Sequence, residues 1–520
     1  MGSKRSFFLI NIIFFFISFF GSIFQSYYIY DPFHWGLAQS SIELFSGLDP
    51  YKDTFIHYGF LYTLTNSIIL ELTKNNLIYI FFLSSLFYSL GNYLLCNFAF
   101  NKLKIQLAYF LPVILFLTHP FANHPWYNYQ FYFLIVISLF FLIKNNKEGL
   151  IIFGITLSLS CLVYENFTIP AFVILIIQFF IRKNFKQNIC LIIGFFIPQI
   201  LFHFYLFIFE LHKYWLKTFW LNEIFLNIYN ISFFELIVNY FNIFVKKSFF
   251  NFITQPFYFL FFLIFILNLF YFFKIFLKKI NQKEIKKTEI YIFLISIICL
   301  FTFPSTLHKL NIFRFSTGPI IGIILVLHFL ENKFFALKDY IVVLAIVILS
   351  SSTLVPIKKE NNRFFPLFDE VKNNVNMDEI DYFRSQKWRK ETWEVINQIN
   401  DTSKKVGLKC KNVNTFINYT KDAYVYMVAK KYIDSNQYIF WYQNEQYYKL
   451  LLNHFNVDMN LLLKNIQLLE NGVIFFYLGD LSYFKTKINL NEFKIYEFPY
   501  SYQQKRIGLL IPNKCLSKIL

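Results

Sequence analysis

The sequence predicts an α-helical polytopic membrane protein, with about 11–13 transmembrane helices and a C-terminal soluble α/β or α+β domain. Three observations carry this. The chain of 520 residues is 56% hydrophobic and only 15% charged, with a mean hydropathy of +0.45. Apolar runs that approach or exceed the ~20 residues needed to cross a bilayer recur as far as Pro356. Beyond Pro356 charged residues rise and the apolar runs become short. The chain therefore divides into residues 1–356, a transmembrane domain, and 357–520, a soluble domain.

The first apolar run, Phe7 to Ile29, lacks a small-residue cleavage site and reads as an uncleaved anchor. Lys4 and Arg5 place its start in the cytoplasm. Further candidate spans are 59–73, 77–100, 105–119, 130–144, 149–164, 167–182, 188–209, 252–277, 289–305, 319–331 and 338–356. Basic breaks at Lys144–Lys147, Arg182–Lys186, Lys274–Lys287 and Lys333–Lys338 mark the cytoplasmic side. Twelve crossings, however, cannot begin inside and end outside. The fault lies in 59–118, where Lys102 and Lys104 fall on the wrong side, so an odd total is expected. Residues 212–250, with Trp215 and Trp220 among scattered charges, read as interfacial amphipathic helix.

In the soluble domain, 378–401 carries helical periodicity, and Val473–Leu478, Phe493–Phe498 and Ile507–Ile511 read as strands. Cys96, Cys161, Cys190 and Cys299 lie in apolar segments, as packing residues do. Cys410 and Cys515 lie in the soluble domain, where spacing alone leaves a disulfide open. The net charge of +18 invites a nucleic-acid partner. The short basic breaks between apolar runs account for much of it instead, so the partner is the lipid bilayer and no nucleic acid is expected.

The functional signal is the first outer loop, residues 31–58. It reads Tyr30-Asp31-Pro32-Phe33-His34-Trp35-Gly36, then Gly47-Leu48-Asp49-Pro50-Tyr51-Lys52-Asp53, then His57-Tyr58-Gly59. Ionisable groups beside a bilayer are costly unless they act. A helix dipole disfavours Asp31 at a helix C-terminus, which points to a role beyond ending the span. Asp49 and Asp53 flank Pro50-Tyr51 and also suit an Asx-type turn. His34 and His57 could bind substrate or tune the carboxylates. Residues 36–45 suit a short helix lying on the membrane.

This pattern resembles the GT-C class of membrane glycosyltransferases, without identifying a subfamily. In that class an acidic residue follows span one, then an interfacial helix, then a Gly-x-x-Pro-Tyr-x-Asp-like element and an aromatic-Gly stretch. Here these are Asp31, 36–46, Gly47 to Asp53 and His57-Tyr58-Gly59. Two further stretches fit: Leu162-Val163-Tyr164-Glu165-Asn166 and the polar loop from Pro304 through His308 and Lys309 to Arg314. The resemblance implies hexosyl or pentosyl transfer from a polyprenyl-phosphate sugar donor to a lipid, glycan or protein acceptor. The reaction would take place at the outer face of the cytoplasmic membrane, with the C-terminal domain extracytoplasmic. Residues 119–129, where a second acidic motif would sit, hold no carboxylate. No metal ligand and no cofactor is therefore assigned, and a divalent metal stays open.

The chemistry needs a base for the acceptor hydroxyl and positive charge for the leaving phosphate. Asp31 is the expected catalytic base. Arg314, with Lys309 and His308, is expected at the phosphate, since Arg suits bidentate contact. Asp53, His34, His57 and Glu165 complete the substrate-binding set. For Arg314 and Lys309 the competing reading is an interfacial anchor; for Glu165 it is a carboxylate buried against a polar partner. A membrane transporter would place charges near mid-span in broken helices and show an internal repeat, whereas here charges gather at one face. A polysaccharide polymerase or ligase of the cell envelope would set its large loop between spans, not at the end of the chain.

Overall fold

The computed structural model describes residues 4–27, 40–56, 59–122, 125–144, 146–181, 185–219, 232–251, 256–281, 287–303, 312–333, 346–347, 374–376, 387–420, 422–433, 458–502 and 505–515. The first helix, α1 (Lys4–Ser26), is inside-out. It buries Asn11, Ser18 and Ser22 and exposes Phe16, Ile17, Phe20 and Phe24. A helix in water would do the reverse; here the apolar face meets lipid. Among the described residues, four helices are long and apolar enough to cross a membrane, and six shorter apolar helices accompany them. The protein is thus a polytopic helical membrane protein with a small C-terminal sheet.

Next come α2 (Phe60–Leu72), α3 (Ile78–Asn97), α4 (Leu111–Thr118), α5 (Tyr127–Lys144) and α6 (Lys147–Val163). Helix α3 runs antiparallel to α1. Phe7 stacks on Phe100 at 4.0 Å, Asn11 Nδ2 donates to the Tyr93 carbonyl at 3.1 Å, and Tyr27 meets Phe82 at 6.1 Å. Lys102 and Lys104 therefore lie at the Lys4 end, where their charge belongs. In the expected span 59–73, helix α2 has 13 residues. It begins against the end of α6, where a side chain at Gly59 would collide with the Leu162 and Val163 carbonyls, and it leads to the start of α3, at the Tyr27 end.

The expected span 105–119 is helical from Gln106 to Thr118, and the chain unwinds as it ends. A 3-10 turn (Gln106–Phe110) leads into α4, and residues 119–122 then carry no helix. Helix α1 satisfies this unwound backbone: Ser18 Oγ donates to the Pro120 carbonyl at 2.7 Å, and the Ala122 N–H donates to Ser22 Oγ at 2.7 Å. Tyr88 of α3 donates to the His119 carbonyl at 2.6 Å.

Helix α6 starts at an Asn146 cap that accepts from the Gly149 N–H at 2.8 Å. It crosses α8 (Phe185–Ile208) at Gly154 and Gly194, where a side chain on either would strike the partner's backbone. Small residues let the two backbones touch. Between them lies α7 (Thr168–Ile181), and beyond them α9 (His212–Phe219). Helix α10 (Phe233–Phe250) opens with a Ser232–Glu235 capping box. It runs along α11 (Phe257–Ile280), with Phe241 on Phe265 at 5.3 Å and Ser248 Oγ donating to the Tyr258 carbonyl at 3.1 Å. Within the expected interfacial stretch 212–250, residues 233–250 thus pack along a membrane-length helix. Then follow α12 (Lys287–Thr302), α13 (Ile312–Ser316) and α14 (Ile323–Lys333).

In the C-terminal part, β1 (Asn374–Asn376) pairs antiparallel with β2 (Lys387–Arg389). Helix α15 spans Lys390–Lys409, later than the expected 378–401, because Trp388 belongs to β2. A four-stranded sheet has the order β3 (Thr415–Asn418), β4 (Gly472–Tyr477), β6 (Lys505–Pro512), β5 (Phe493–Tyr502). Strand β3 is parallel to β4 and the other pairs are antiparallel. Strand β4 alternates: Val473 and Phe475 face α15 and α16 (Ala423–Lys430), while Ile474 and Phe476 face α17 (Met459–Leu469). Cys410 and Cys515 form a disulfide across 105 residues of sequence. Cys96, Cys161 and Cys299 are buried and Cys190 is half-buried.

Candidate active site

Of the expected site residues, Asp53, Glu165 and Arg314 are described. Asp31, His34, His57, His308 and Lys309 lie outside the described residues.

The described part of the first loop is a folded turn. Residues 40–45 are helical, and Gly47 supplies a φ of +83° that ends them. Ser40 Oγ donates to the Phe55 carbonyl at 2.7 Å, and Thr54 donates to the Glu43 carboxylate. Within the turn the N–H groups of Asp53 and Thr54 donate to the Asp49 carbonyl at 2.9 and 3.1 Å. The Asp53 carboxylate accepts from the Asp49 N–H at 3.2 Å, and Asp49 pairs with Lys52 at 2.9 Å. The Asp53 carboxylate thus closes the turn onto the Asp49 N–H and Asp49 carries the Lys52 pair, and neither makes the bond to the backbone two residues on that defines an Asx-type turn.

Tyr51 stands at the tip of that turn with φ +64°, an uncommon conformation for a bulky residue. Its ring is fully buried with Ile56, Leu162, Phe202 and Leu206, and its hydroxyl donates to Glu165. Glu165 occupies the short 3-10 turn Glu165–Phe167 between α6 and α7. The Phe60 N–H at the start of α2 and the Trp215 indole on α9 lie beside it and favour its charged form. Burial lifts its pKa from 4.5 to about 7, against the pull of these three donors. Desolvation and the neighbouring carboxylate hold the Tyr51 phenol well above its usual range, so it stays a donor.

Arg314, on α13, is 4% exposed. An interfacial anchor would extend to water; this guanidinium instead lies over the Trp126 ring, 5.1 Å from its centroid. The residue after Trp126, Tyr127, packs on Tyr164 at 5.2 Å. Phe313 packs on His119 and Trp126, and Phe315 stacks on Phe261 at 4.6 Å, fixing α13 from both sides.

The α6–α7 connection therefore links two of the expected residues. Tyr164 packs on Tyr127, next to the Trp126 ring under Arg314, and the residue after it, Glu165, holds the loop that carries Asp49 and Asp53. Tyr51, Trp126, Tyr164 and Trp215 were not expected at the site from sequence, and Trp215 was read only as part of an interfacial helix. Their signal was present only as aromatic residues within the quoted stretches or beside breaks. Among the described residues no three His, Cys, Asp or Glu side chains converge on a metal position.

No protein-family model matches the chain, and no curated protein matches it. Among solved structures it matches the Archaeoglobus fulgidus oligosaccharyltransferase, a crystal structure in which an acceptor peptide containing the NVT sequon is tethered by a disulfide. The TM-score is 0.52 at 11% identity, over 92% of this chain and 70% of that one. At such identity the likeness is one of fold alone: the chain shares the fold of that oligosaccharyltransferase.

Proposed function

We propose that the protein transfers a hexosyl or pentosyl unit from a polyprenyl-phosphate donor to a lipid, glycan or protein acceptor at the outer face of the cytoplasmic membrane. The observation that carries this is Arg314, a buried cation beside the first-loop anchorage, in a fold shared with an oligosaccharyltransferase. In this reading Asp31 takes the proton of the acceptor hydroxyl. The acceptor oxygen bonds to the anomeric carbon as the bond from that carbon to the phosphate oxygen breaks. The phosphate leaves with the electron pair, and Arg314, with His308 and Lys309, stabilises its charge. His34, His57 and Asp53 line the sugar and acceptor side.

Two features support the orientation. Lys4, Lys102 and Lys104 share one end of the bundle, which the positive-inside rule assigns to the cytoplasm. The Cys410–Cys515 disulfide fits an extracytoplasmic sheet domain.

The test is incubation of membranes with a panel of polyprenyl-phosphate sugars, scoring label transfer. Asp31→Asn should lower turnover by roughly 10²-fold or more with little change in donor binding. In purified protein, Arg314→Lys should weaken donor binding nearly as much as Arg314→Ala, because a point charge cannot reproduce the guanidinium fork. Equal donor affinity in wild type and both variants would remove Arg314 from the site.

A further inference from the structure

Glu165 was expected among the sugar ligands, yet its carboxylate accepts from the Tyr51 hydroxyl and has the Phe60 N–H and the Trp215 indole beside it. Tyr51 comes from the first loop, the Phe60 N–H from the start of α2, and the Trp215 indole from α9. These elements lie 114 residues apart in sequence for the Tyr51 contact alone. Tyr51 adopts a left-handed backbone that a Tyr rarely accepts, and the structure around it must hold it there. Its buried ring and its single hydroxyl contact are the means.

We infer that Tyr51 and Glu165 form a positioning pair that locks the Asp49–Asp53 turn against the membrane helices, and that neither touches substrate. Asp49, Lys52 and Asp53 are fixed relative to one another by the turn's own bonds. Those bonds do not fix the turn relative to α6 and α8. Tyr51 does: its ring enters the cluster of Leu162, Phe202 and Leu206, and its hydroxyl reaches the α6–α7 connection. The same connection carries Tyr164, which packs on Tyr127, the neighbour of the Trp126 ring that Arg314 covers. The pair thus sets the first loop against the element that meets the cation. Its effect on turnover rests on the transferase reading; its effect on the loop does not.

The test uses full-length purified protein and the variants Tyr51→Phe, Glu165→Ala, Glu165→Gln and the Tyr51→Phe/Glu165→Ala pair. Hydrogen exchange over residues 49–56 is measured without substrate. Exchange should quicken roughly tenfold in Tyr51→Phe and in Glu165→Ala. The double variant should be no faster than the worse single, since both remove one interaction. Gln, which keeps an acceptor oxygen, should recover most of the protection. Transfer from the donor panel should fall in the same order, in kcat more than in KM. Unchanged exchange in both singles, additive effects, or Gln as damaging as Ala would overturn the pair. Loosened exchange as expected, with no transfer by wild type from any donor, would support the pair and sink the transferase reading instead.

Discussion

Helix α1 and strand β4 are built from much the same residues and obey opposite rules. In α1 the polar side chains Asn11, Ser18 and Ser22 are inside, and Phe20 is 59% exposed. In β4, Gly472–Tyr477, Val473 to Phe476 are wholly buried. The difference is the solvent. In water, apolar area is driven inward. In lipid that drive vanishes between helices, and close packing and hydrogen bonds select what faces inward. A Phe count therefore says little about stability until the medium around each Phe is known.

The largest expected effect tests packing in the membrane half. Gly194→Leu would force a side chain into the Ile151 backbone of α6, which cannot yield as a flexible side chain could. Loss of the monodisperse folded protein in detergent is expected; a normal elution profile and melting temperature would refute backbone contact as the basis of the α6–α8 crossing. In the sheet, Phe476→Ala removes a fully buried ring and should cost about 3–5 kcal/mol. Phe20→Ala on the lipid face of α1 should cost well under 1 kcal/mol by the same bookkeeping. Comparable losses in the two would break the comparison between the regions.

Removing the disulfide by Cys515→Ser should destabilise the sheet domain by about 2–4 kcal/mol and leave the helical part's melting unchanged. Because Cys410 is paired, a thiol reagent should label it in intact cells only after reduction. Labelling without reductant would contradict the pairing.

A subtler effect concerns pH. Glu165 holds its proton to about pH 7 in the fold, against an ordinary 4.5. Its folded-state pKa is raised, so the folded protein binds more protons than the unfolded chain between those values. Its contribution is complete below pH 4.5 and is lost as pH rises through about 7. Glu165→Gln should flatten the melting temperature over that window and raise it above pH 7 relative to wild type. A parallel pH profile in the variant would locate the titration elsewhere. Smallest of all, Ser18→Ala deletes one bond to the Pro120 carbonyl, at roughly 0.6 kcal/mol.

Much of this was legible beforehand. The apolar runs marked helices, and the strands observed at 472–477 and 493–502 overlap the runs Val473–Leu478 and Phe493–Phe498. Periodicity does not reveal where a helix starts in the membrane. The stretch 60–72 is as apolar as a span, yet its helix has only 13 residues. Asp53, Glu165 and Arg314 were named beforehand because charges in an apolar chain are conspicuous. Tyr51 and Trp126 were not, because one aromatic among so many carries no signal until its hydroxyl or ring face is seen to have a partner.

The unwound chain at residues 119–122 has a consequence for biosynthesis. Its carbonyl and N–H are satisfied by Ser18 and Ser22, which lie 102 and 100 residues earlier. Asn11 likewise awaits the Tyr93 carbonyl, 82 residues later. When α1 leaves the ribosome, its inward face therefore has none of these partners, although its outward face already suits lipid. The anchor enters the membrane first and incomplete, and it acquires its final neighbours only after α3 and α4 have been synthesised. A stalled or truncated chain ending before residue 120 would expose those hydroxyls to the bilayer, a defect that quality-control proteases of the membrane could recognise.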